Sequence, residues 1–171
     1  QAKVFRLKHR IPCCGFLFSE QIKERTYLPE KGASYNVKIE EIPYLKRGED
    51  VTREDGTTLL SSDFTDDPPK VRTYAYCTDT LPLKRTVEIA QGVECLYHEA
   101  TFLETEIERS KQTFHSTAKQ AAQIARDAKV DQLLIGHFSA RYASLDQHLE
   151  ESRPIFANTE LTVEGKEFEI N

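Results

Sequence analysis

The sequence predicts an α/β (α+β) fold on three observations. Segments typical of strands and of helices alternate from residue 71 onward. A chain of 171 residues can bury about 70% of its unfolded surface, so one domain over residues 1–171 is expected. Three of the predicted strands end in polar residues that commonly bind ligands, and sites in α/β sheets gather at that edge.

The first two strands are predicted at 3–11 and 14–19. Apolar residues alternate with basic ones in 3–11, which predicts a half-buried strand with a basic outer edge. The predicted inner face comprises Phe5, Leu7, His9 and Ile11, and the outer face comprises Arg6, Lys8 and Arg10. His9 is therefore expected among apolar neighbours.

An irregular insertion is predicted at about 20–70, where four of the seven prolines and several glycines interrupt the pattern. We expect a short helix near 20–26 and small strands at 57–60. A long irregular insertion is usually functional or mobile. An ordinary solvated surface loop is an equally good interpretation.

From residue 71 onward the elements follow one another closely. Thr117 and Gln120 form a capping-box pair at the start of one helix, and Pro154 is expected to disturb another. Two last strands around Glu164-Gly165-Lys166 predict a closing hairpin. The predicted strands are 71–77, 93–97, 132–136, 161–163 and 167–170, and the predicted helices are 81–92, 116–129 and 143–156.

Composition excludes several functional classes. No apolar run approaches 18 residues, so neither a membrane span nor a secretory leader is expected. The net charge of −5 argues against a generic nucleic-acid coat, so a nucleic-acid partner would need a local positive charge or a metal ion. The four cysteines show no zinc-binding spacing and are expected to be reduced, as in a cytoplasmic protein.

Polar residues follow three of the predicted strands. Asp79, His98 with Glu99, and His137 would converge at one sheet edge, and His115 precedes a helix at the same edge. Each has a structural alternative, because a lone aspartate after a strand is often a helix N-cap and a lone histidine is usually structural. Four such residues at equivalent positions favour a functional site.

Several imidazoles and a carboxylate that converge on one site are suitable ligands for a divalent metal ion, and zinc is the first candidate. The chain has no nucleophile elbow and no glycine-rich phosphate loop, so metal-assisted hydrolysis fits better than a side-chain nucleophile. Glu99 and His115 could form an oriented proton-transfer pair.

Four segments together identify a resemblance. YAYCTDT at 74–80, LYHEATF at 96–102, FHST at 114–117 and IGHFSARY at 135–142 resemble the C-terminal half of ribonuclease Z, the tRNA 3′-processing endonuclease of the metallo-β-lactamase superfamily. LKHRIPCCGF at 7–16 resembles a further metal motif of that family. The resemblance spans essentially the whole chain and implies the C-terminal half of an αββα sandwich.

The resemblance also implies roles for the matched residues. His9, Asp79 and His137 would bind zinc, with Asp79 bridging two ions. Glu99 and His115 would form the proton-donor pair. His98 would support the site, and Arg141 would contact RNA phosphate, with a structural salt bridge as the alternative for Arg141.

The implied reaction is hydrolysis of precursor tRNA just after the discriminator nucleotide, with His115 protonating the leaving 3′ oxygen. The products would be a tRNA with a 3′-hydroxyl and a trailer with a 5′-phosphate. The resemblance further implies two Zn²⁺ per full-length subunit, a homodimer and a cytoplasmic location.

Two departures from the family pattern stand out. The HxHxDH signature, which supplies four ligands, is absent from the chain. The chain is therefore expected to be a fragment, metal-poor and inactive alone. Residues 20–56 also lack the Gly-Pro pair of the family's RNA-binding arm and carry Gly32-Ala33 instead, so the pattern does not predict arm-mediated tRNA binding.

Three other functions stay open at this point. One is another phosphodiesterase or hydrolase on the same metal scaffold. The second is a non-catalytic half-domain that serves assembly. The third is a Ser–His hydrolase that uses Ser139 or Ser116, which would stay active without zinc.

Overall fold

A computed structural model describes residues 1–170. Within this range the chain forms ten strands: β1 (Ala2–Arg6), β2 (Cys14–Ser19), β3 (Thr26–Tyr27), β4 (Val51–Thr52), β5 (Thr58–Leu59), β6 (Thr65–Asp66), β7 (Thr73–Cys77), β8 (Cys95–Glu99), β9 (Gln132–Gly136) and β10 (Thr159–Leu161). The α-helices are α1 (Pro29–Ser34), α2 (Ile42–Lys46), α3 (Ser61–Phe64), α4 (Lys84–Ile89), α5 (Ile107–Thr113), α6 (Ala118–Ala128) and α7 (Asp146–Ser152). A 3₁₀ turn, Glu104–Glu106, precedes α5.

The chain divides into two compact units. One comprises Gln1–Glu20 and the chain from Arg72 onward, and the other is Gln21–Val71. The second unit occupies the part of the chain that the sequence analysis treats as an insertion.

A six-stranded mixed sheet forms the centre of the first unit, in the order β1-β2-β7-β8-β9-β10. The first two pairings are antiparallel, and the pairings from β7 to β10 are parallel. Strands joined by helices into parallel pairs are the arrangement that α/β alternation predicts, so the predicted fold class is confirmed.

The two faces of this sheet differ in chemistry. Ala75, Leu96 and Leu133 are paired neighbours on one face, and they share an apolar core with the buried side of α6. On the other face, Phe18 stacks on Tyr74 and Tyr76 stacks on Tyr97, with ring centroids 6.1 and 4.7 Å apart. Phe18 is 43% exposed, so this face is more open to solvent.

The long helix α6 begins as the sequence predicts. The Thr117 hydroxyl accepts a hydrogen bond from the Gln120 N–H at 3.2 Å, and the Gln120 side chain accepts one from the Thr117 N–H at 3.0 Å. This reciprocal pair satisfies two backbone donors at the helix start, and the capping-box prediction is confirmed.

The first predicted strand is too long. It ends at Arg6, and the chain turns back so that the Leu7 N–H donates to the Cys13 carbonyl at 3.0 Å. Alternation therefore stops at Leu7, and Ile11, predicted to be internal, is 68% exposed. His9 lies in the resulting loop rather than in a strand.

The predicted closing hairpin is wrong. β10 pairs in parallel with β9, and residues 162–170 form no strand. The pairing begins where the Leu133 N–H donates to the Asn158 carbonyl at 2.9 Å, so the last strand adds to the edge of the sheet beside β9 and does not pair with residues 167–170. Helix α5 was not predicted, and α4 and α7 are shorter than predicted.

The second unit contains more regular structure than predicted. No helix forms at 20–26; instead β3 pairs with β6, and β5 at the predicted position 57–60 pairs with β4. Leu45, Leu59 and Phe64 form a small buried core.

A paired charge holds one loop of this second unit. The Arg53 guanidinium donates to both Glu41 carboxylate oxygens at 2.7 Å, and the Lys38 N–H donates to Glu41 Oε2 at 2.7 Å. The Glu41 side chain is 8% exposed. The hydrogen bond from Arg53 lowers the pKa of Glu41 from 4.5 to about 2.

We expect Arg53→Met to destabilise the unit Gln21–Val71 by about 2 kcal/mol, because hydrogen bonds to charged groups contribute about 1.5–3 kcal/mol. The hydrogen-exchange rate of the Lys38 amide measures this loss of stability. Arg47→Met is the control: its partner Glu49 is 52% exposed, so this variant should lose clearly less stability than Arg53→Met.

The same pair sets a pH dependence. The lowered pKa of Glu41 means that its contribution is complete above its ordinary pKa of 4.5 and is lost as pH falls to about 2. The stability difference between wild type and Arg53→Met should therefore shrink over this range. A constant difference would contradict the assignment.

Candidate active site

The ends of three adjacent parallel strands form the candidate site. β7 ends at Cys77, β8 at Glu99 and β9 at Gly136, and Glu99 is paired with Gly136 in the sheet. Because these strands are parallel, the residues that follow them emerge at one edge. Asp79, Thr101 and His137 thus come together from distant parts of the sequence.

The Glu99 carboxylate lies at the centre of this edge and is fully buried. Oε1 accepts hydrogen bonds from the Thr80 N–H at 2.6 Å and from His115 Nδ1 at 2.8 Å. Oε2 accepts from the Thr101 hydroxyl at 2.6 Å, the Ser116 N–H at 3.1 Å and the Thr101 N–H at 3.3 Å. Five donors compensate for the loss of hydration.

These donors also set the ionisation of Glu99. Burial by itself raises the pKa of Glu99. The hydrogen bonds from His115 and Thr101 outweigh burial and bring the pKa below its usual value. Glu99 is therefore a carboxylate at neutral pH, although it has no contact with solvent.

His115 is held just before α6. The chain turns at Phe114, whose φ is +63°, and the His115 N–H donates to the Ser110 carbonyl at 2.9 Å. Burial lowers the pKa of His115, but the hydrogen bond and charge of Glu99, with a contribution from Asp79, raise it overall. The imidazole is thus held in orientation and favoured in its protonated form.

Asp79 and His137 form the open side of the site. His137 Nε2 lies 3.2 Å from Asp79 Oδ1, and the two side chains are 43% and 31% exposed. Burial raises the pKa of Asp79, but the hydrogen bond from Thr78 and the charge of His137 lower it overall. Asp79 is not a helix N-cap, because α4 begins at Lys84 after Leu83.

His9 approaches from the loop between β1 and β2. Its Nδ1 lies 3.1 Å from the Phe114 carbonyl, an acceptor, so Nδ1 donates and leaves Nε2 available. Its ring centroid is 4.8 Å from that of His115. The loop that ends the first strand early is what brings His9 to the site.

The donor atoms fit a divalent metal ion. Asp79, His115 and His137 each offer one ligand atom, and these atoms lie within 4.8 Å of one another. Tetrahedral coordination at about 2.0–2.1 Å places neighbouring ligand atoms about 3.3 Å apart, close to the 3.2 Å between His137 and Asp79. One carboxylate with imidazoles suits zinc or a similar ion.

His98 does not join this group. Strand alternation directs its side chain to the sheet face opposite Glu99. It is fully buried, and its Nδ1 lies 2.8 Å from the Glu99 carbonyl while Nε2 has no partner within residues 1–170. Its supporting role in the reaction stays a prediction.

Arg141 lies beside the site in an ion pair. Its guanidinium donates to Glu106 at 2.9 Å and to the Ser139 hydroxyl at 3.2 Å, and it lies 5.2 Å above the Phe102 ring. This is the salt bridge that the sequence analysis gave as the alternative. The contact with RNA phosphate stays a prediction.

Sequence reasoning missed Thr101. Its hydroxyl lies 2.9 Å from His137 Nδ1 and 2.6 Å from Glu99 Oε2, so it connects two candidate site residues. The available signal was its position two residues after Glu99 at the end of β8, where side chains emerge at the site edge.

No family model matches the chain, but curated sequences do. It is 45% identical to ribonuclease Z of Bacteroides fragilis strain YCH46 over 93% of its own length and 52% of that protein. Ribonuclease Z of Phocaeicola vulgatus is 45% identical over 96% of this chain and 53% of that protein. The motif-based resemblance is therefore confirmed, and the chain spans about half the length of these relatives.

Solved structures confirm the fold. Human tRNase Z, short form, superimposes with a TM-score of 0.56 at 19% identity, over 99% of this chain and 43% of that one. A metallo-β-lactamase-fold protein of Bacillus subtilis, YhfI, gives 0.58 at 12% identity, over 94% of this chain and 45% of that one. The predicted half of a metallo-β-lactamase fold is confirmed.

We expect Glu99→Gln to lower the free energy of unfolding by about 2–4 kcal/mol. The amide replaces one oxygen with a donor, so backbone N–H groups that can only donate lose their acceptor in a buried place. Urea unfolding measures the loss. Glu160→Gln, at an ion pair in which Glu160 is 36% exposed, is the control and should change stability by less than about 1 kcal/mol. Equal effects of both variants would contradict the central position of Glu99.

Proposed function

We propose that the chain is the C-terminal half of a zinc-dependent endoribonuclease that removes the 3′ trailer from precursor tRNA. The observation that carries the proposal is the Glu99–His115 hydrogen bond of 2.8 Å beside the Asp79–His137 pair. This arrangement occurs in a chain that is 45% identical to ribonuclease Z over 93% of its length.

The metal would be held by His9, Asp79 and His137, with Asp79 shared between two zinc ions in the full-length subunit. A divalent metal there supplies Lewis-acid activation of water and of the phosphate. The remaining ligands would come from an upstream half that carries HxHxDH, so the present chain alone would hold metal weakly and lack activity.

His115 is also close enough to be a ligand, since it belongs to the same group of donor atoms. Its hydrogen bond with Glu99 favours the other role. A buried carboxylate on Nδ1 orients the ring and raises the pKa of His115, as a general acid requires. His115 is therefore proposed as proton donor rather than structural ligand.

In the proposed reaction, water adds to the phosphorus and gives up one proton to solvent, and the bond from phosphorus to the 3′ oxygen of the discriminator nucleotide breaks. His115 gives its Nε2 proton to that leaving oxygen, while Glu99 stabilises the charged imidazole. Asp79 and His137 would hold the metal beside the reacting phosphate. The products are a tRNA with a 3′-hydroxyl and a trailer with a 5′-phosphate. His115 is reprotonated from solvent after the products leave.

Positive charge for RNA would be local. Arg6, Lys8 and Arg10 lie exposed on β1 and the loop that carries His9, and they offset the net charge of −5 near the site. Arg141 could exchange its Glu106 partner for an RNA phosphate, since arginine binds either group through the same donors.

We also propose a cytoplasmic location and a homodimer. The four cysteines are free, as expected of a cytoplasmic protein, and a homodimer is proposed from the resemblance alone. Within residues 1–170, no helix has the length and apolar character needed to cross a membrane.

The test is cleavage of a 3′-extended precursor tRNA by the full-length protein, with and without EDTA. We expect cleavage after the discriminator nucleotide that EDTA abolishes and added zinc restores. Metal-loaded protein that leaves precursor tRNA intact but cleaves a small phosphodiester would instead indicate another phosphodiesterase on this scaffold. Cleavage that resists EDTA would contradict the metal mechanism.

Two variants separate the proposed roles within that assay. Asp79→Ala should lose both zinc and activity, because it removes the shared ligand. His115→Ala should slow cleavage by about 10²–10⁴-fold with zinc retained, as for a lost general acid. Zinc content measured by mass spectrometry distinguishes the two roles of His115. An equal loss of zinc in both variants would show that His115 is a metal ligand.

A further inference from the structure

Thr101 is a buried residue, 6% exposed, whose hydroxyl lies among three charged or titratable side chains. Its Oγ1 is 2.6 Å from Glu99 Oε2, 2.9 Å from His137 Nδ1 and 3.4 Å from His115 Nδ1. A hydroxyl has one proton to donate and two lone pairs to accept with. Its single proton therefore fixes the direction of the hydrogen bonds around it.

The neighbours of Glu99 decide where that proton goes. Glu99 Oε2 also faces the N–H groups of Thr101 and Ser116, at 3.3 and 3.1 Å, and these can only donate. A carboxylate accepts at every one of these contacts. The Thr101 hydroxyl accordingly donates to Glu99 and keeps its lone pairs for another donor.

That other donor is His137. At 2.9 Å its Nδ1 can bond to the Thr101 oxygen only by donating its own proton, because the hydroxyl proton is already used. Nδ1 is then protonated, so Nε2 is the nitrogen left to bind metal, after releasing to solvent any proton that it shares with Asp79. Nε2 is the atom 3.2 Å from Asp79 Oδ1, on the side where the fit to a metal was found.

We propose that the Thr101 hydroxyl is a positioning group for the metal site: it holds His137 in the tautomer whose Nε2 is free to bind metal, and it ties that ring to Glu99. The proposal rests on the proposed function in taking His137 as a metal ligand. Glu99 then orients both imidazoles, His115 directly through Oε1 and His137 through Thr101 on Oε2. The metal ligand and the proton donor share one buried anchor.

The test measures zinc affinity of the full-length protein by competition with a chromophoric chelator, without RNA. Thr101→Val keeps the shape of the side chain and removes the hydroxyl, so the dissociation constant should rise about 10–100-fold, as for other lost partners of ligating histidines. Thr101→Ser keeps the hydroxyl and should stay within about 3-fold of wild type. Thr101→Ala replaces the valine variant if that variant does not fold.

A matched control separates the hydroxyl's role from general stability. Thr159 is also buried, 1% exposed, and its hydroxyl donates to the Phe156 carbonyl at 2.6 Å, outside the site. Thr159→Val should lower stability without changing zinc affinity. Unchanged affinity in Thr101→Val, or equal losses in Thr101→Ser and Thr101→Val, would overturn the proposal.

A second readout tests the tautomer directly. Long-range ¹H–¹⁵N spectra of histidine-labelled, zinc-loaded protein should show His137 protonated at Nδ1 in wild type and in Thr101→Ser, and should lose that preference in Thr101→Val. His137 protonated at Nε2 in zinc-loaded wild type would also overturn the proposal. Neither readout uses RNA, so normal results here with no tRNA cleavage would reject the proposed function and leave the role of Thr101 intact.

Discussion

One buried carboxylate organises this site. Glu99 is fully buried, and a charge without hydration is tolerated only where donors replace the lost water. The donors come from three separate segments: the turn after β7, the residues after β8 and the start of α6. The hydrogen bonds to Glu99 therefore fix these segments relative to one another. The side chains on these segments are positioned as a consequence.

The sheet gives this anchor its rigidity. β7, β8 and β9 pair in parallel, and α6 packs an alanine-rich side on their apolar face. The opposite face carries stacked aromatic rings and includes an exposed phenylalanine. Such a face is expected to pack on a second sheet in a sandwich, in keeping with a chain that spans about half the length of its relatives.

The sequence predicted the parts of the site that strand alternation and strand direction determine. Asp79 and His137 follow parallel strands and Glu99 ends one, so their common edge could be inferred without any contact information. The start of α6 could be inferred from Thr117 and Gln120. The position of His9 could not, because it depends on a loop closed by a bond from Leu7 to Cys13. The prediction of a closing hairpin is wrong for a related reason. The last strand pairs with β9, which is distant in sequence, and local turn residues do not indicate such a tertiary pairing. The sequence does not single out Thr101, because a threonine after a strand can serve several structural or functional roles. Only its distances to Glu99 and His137 indicate which role it has.

The most direct test of the central claim, that this sheet edge holds a catalytic metal, is anomalous diffraction at the zinc edge from crystals of the full-length protein. We predict a peak within ligand distance of Asp79 and His137, with the Glu99–His115 hydrogen bond intact beside it. An active, zinc-containing protein whose anomalous peaks all lie away from these residues would contradict the account.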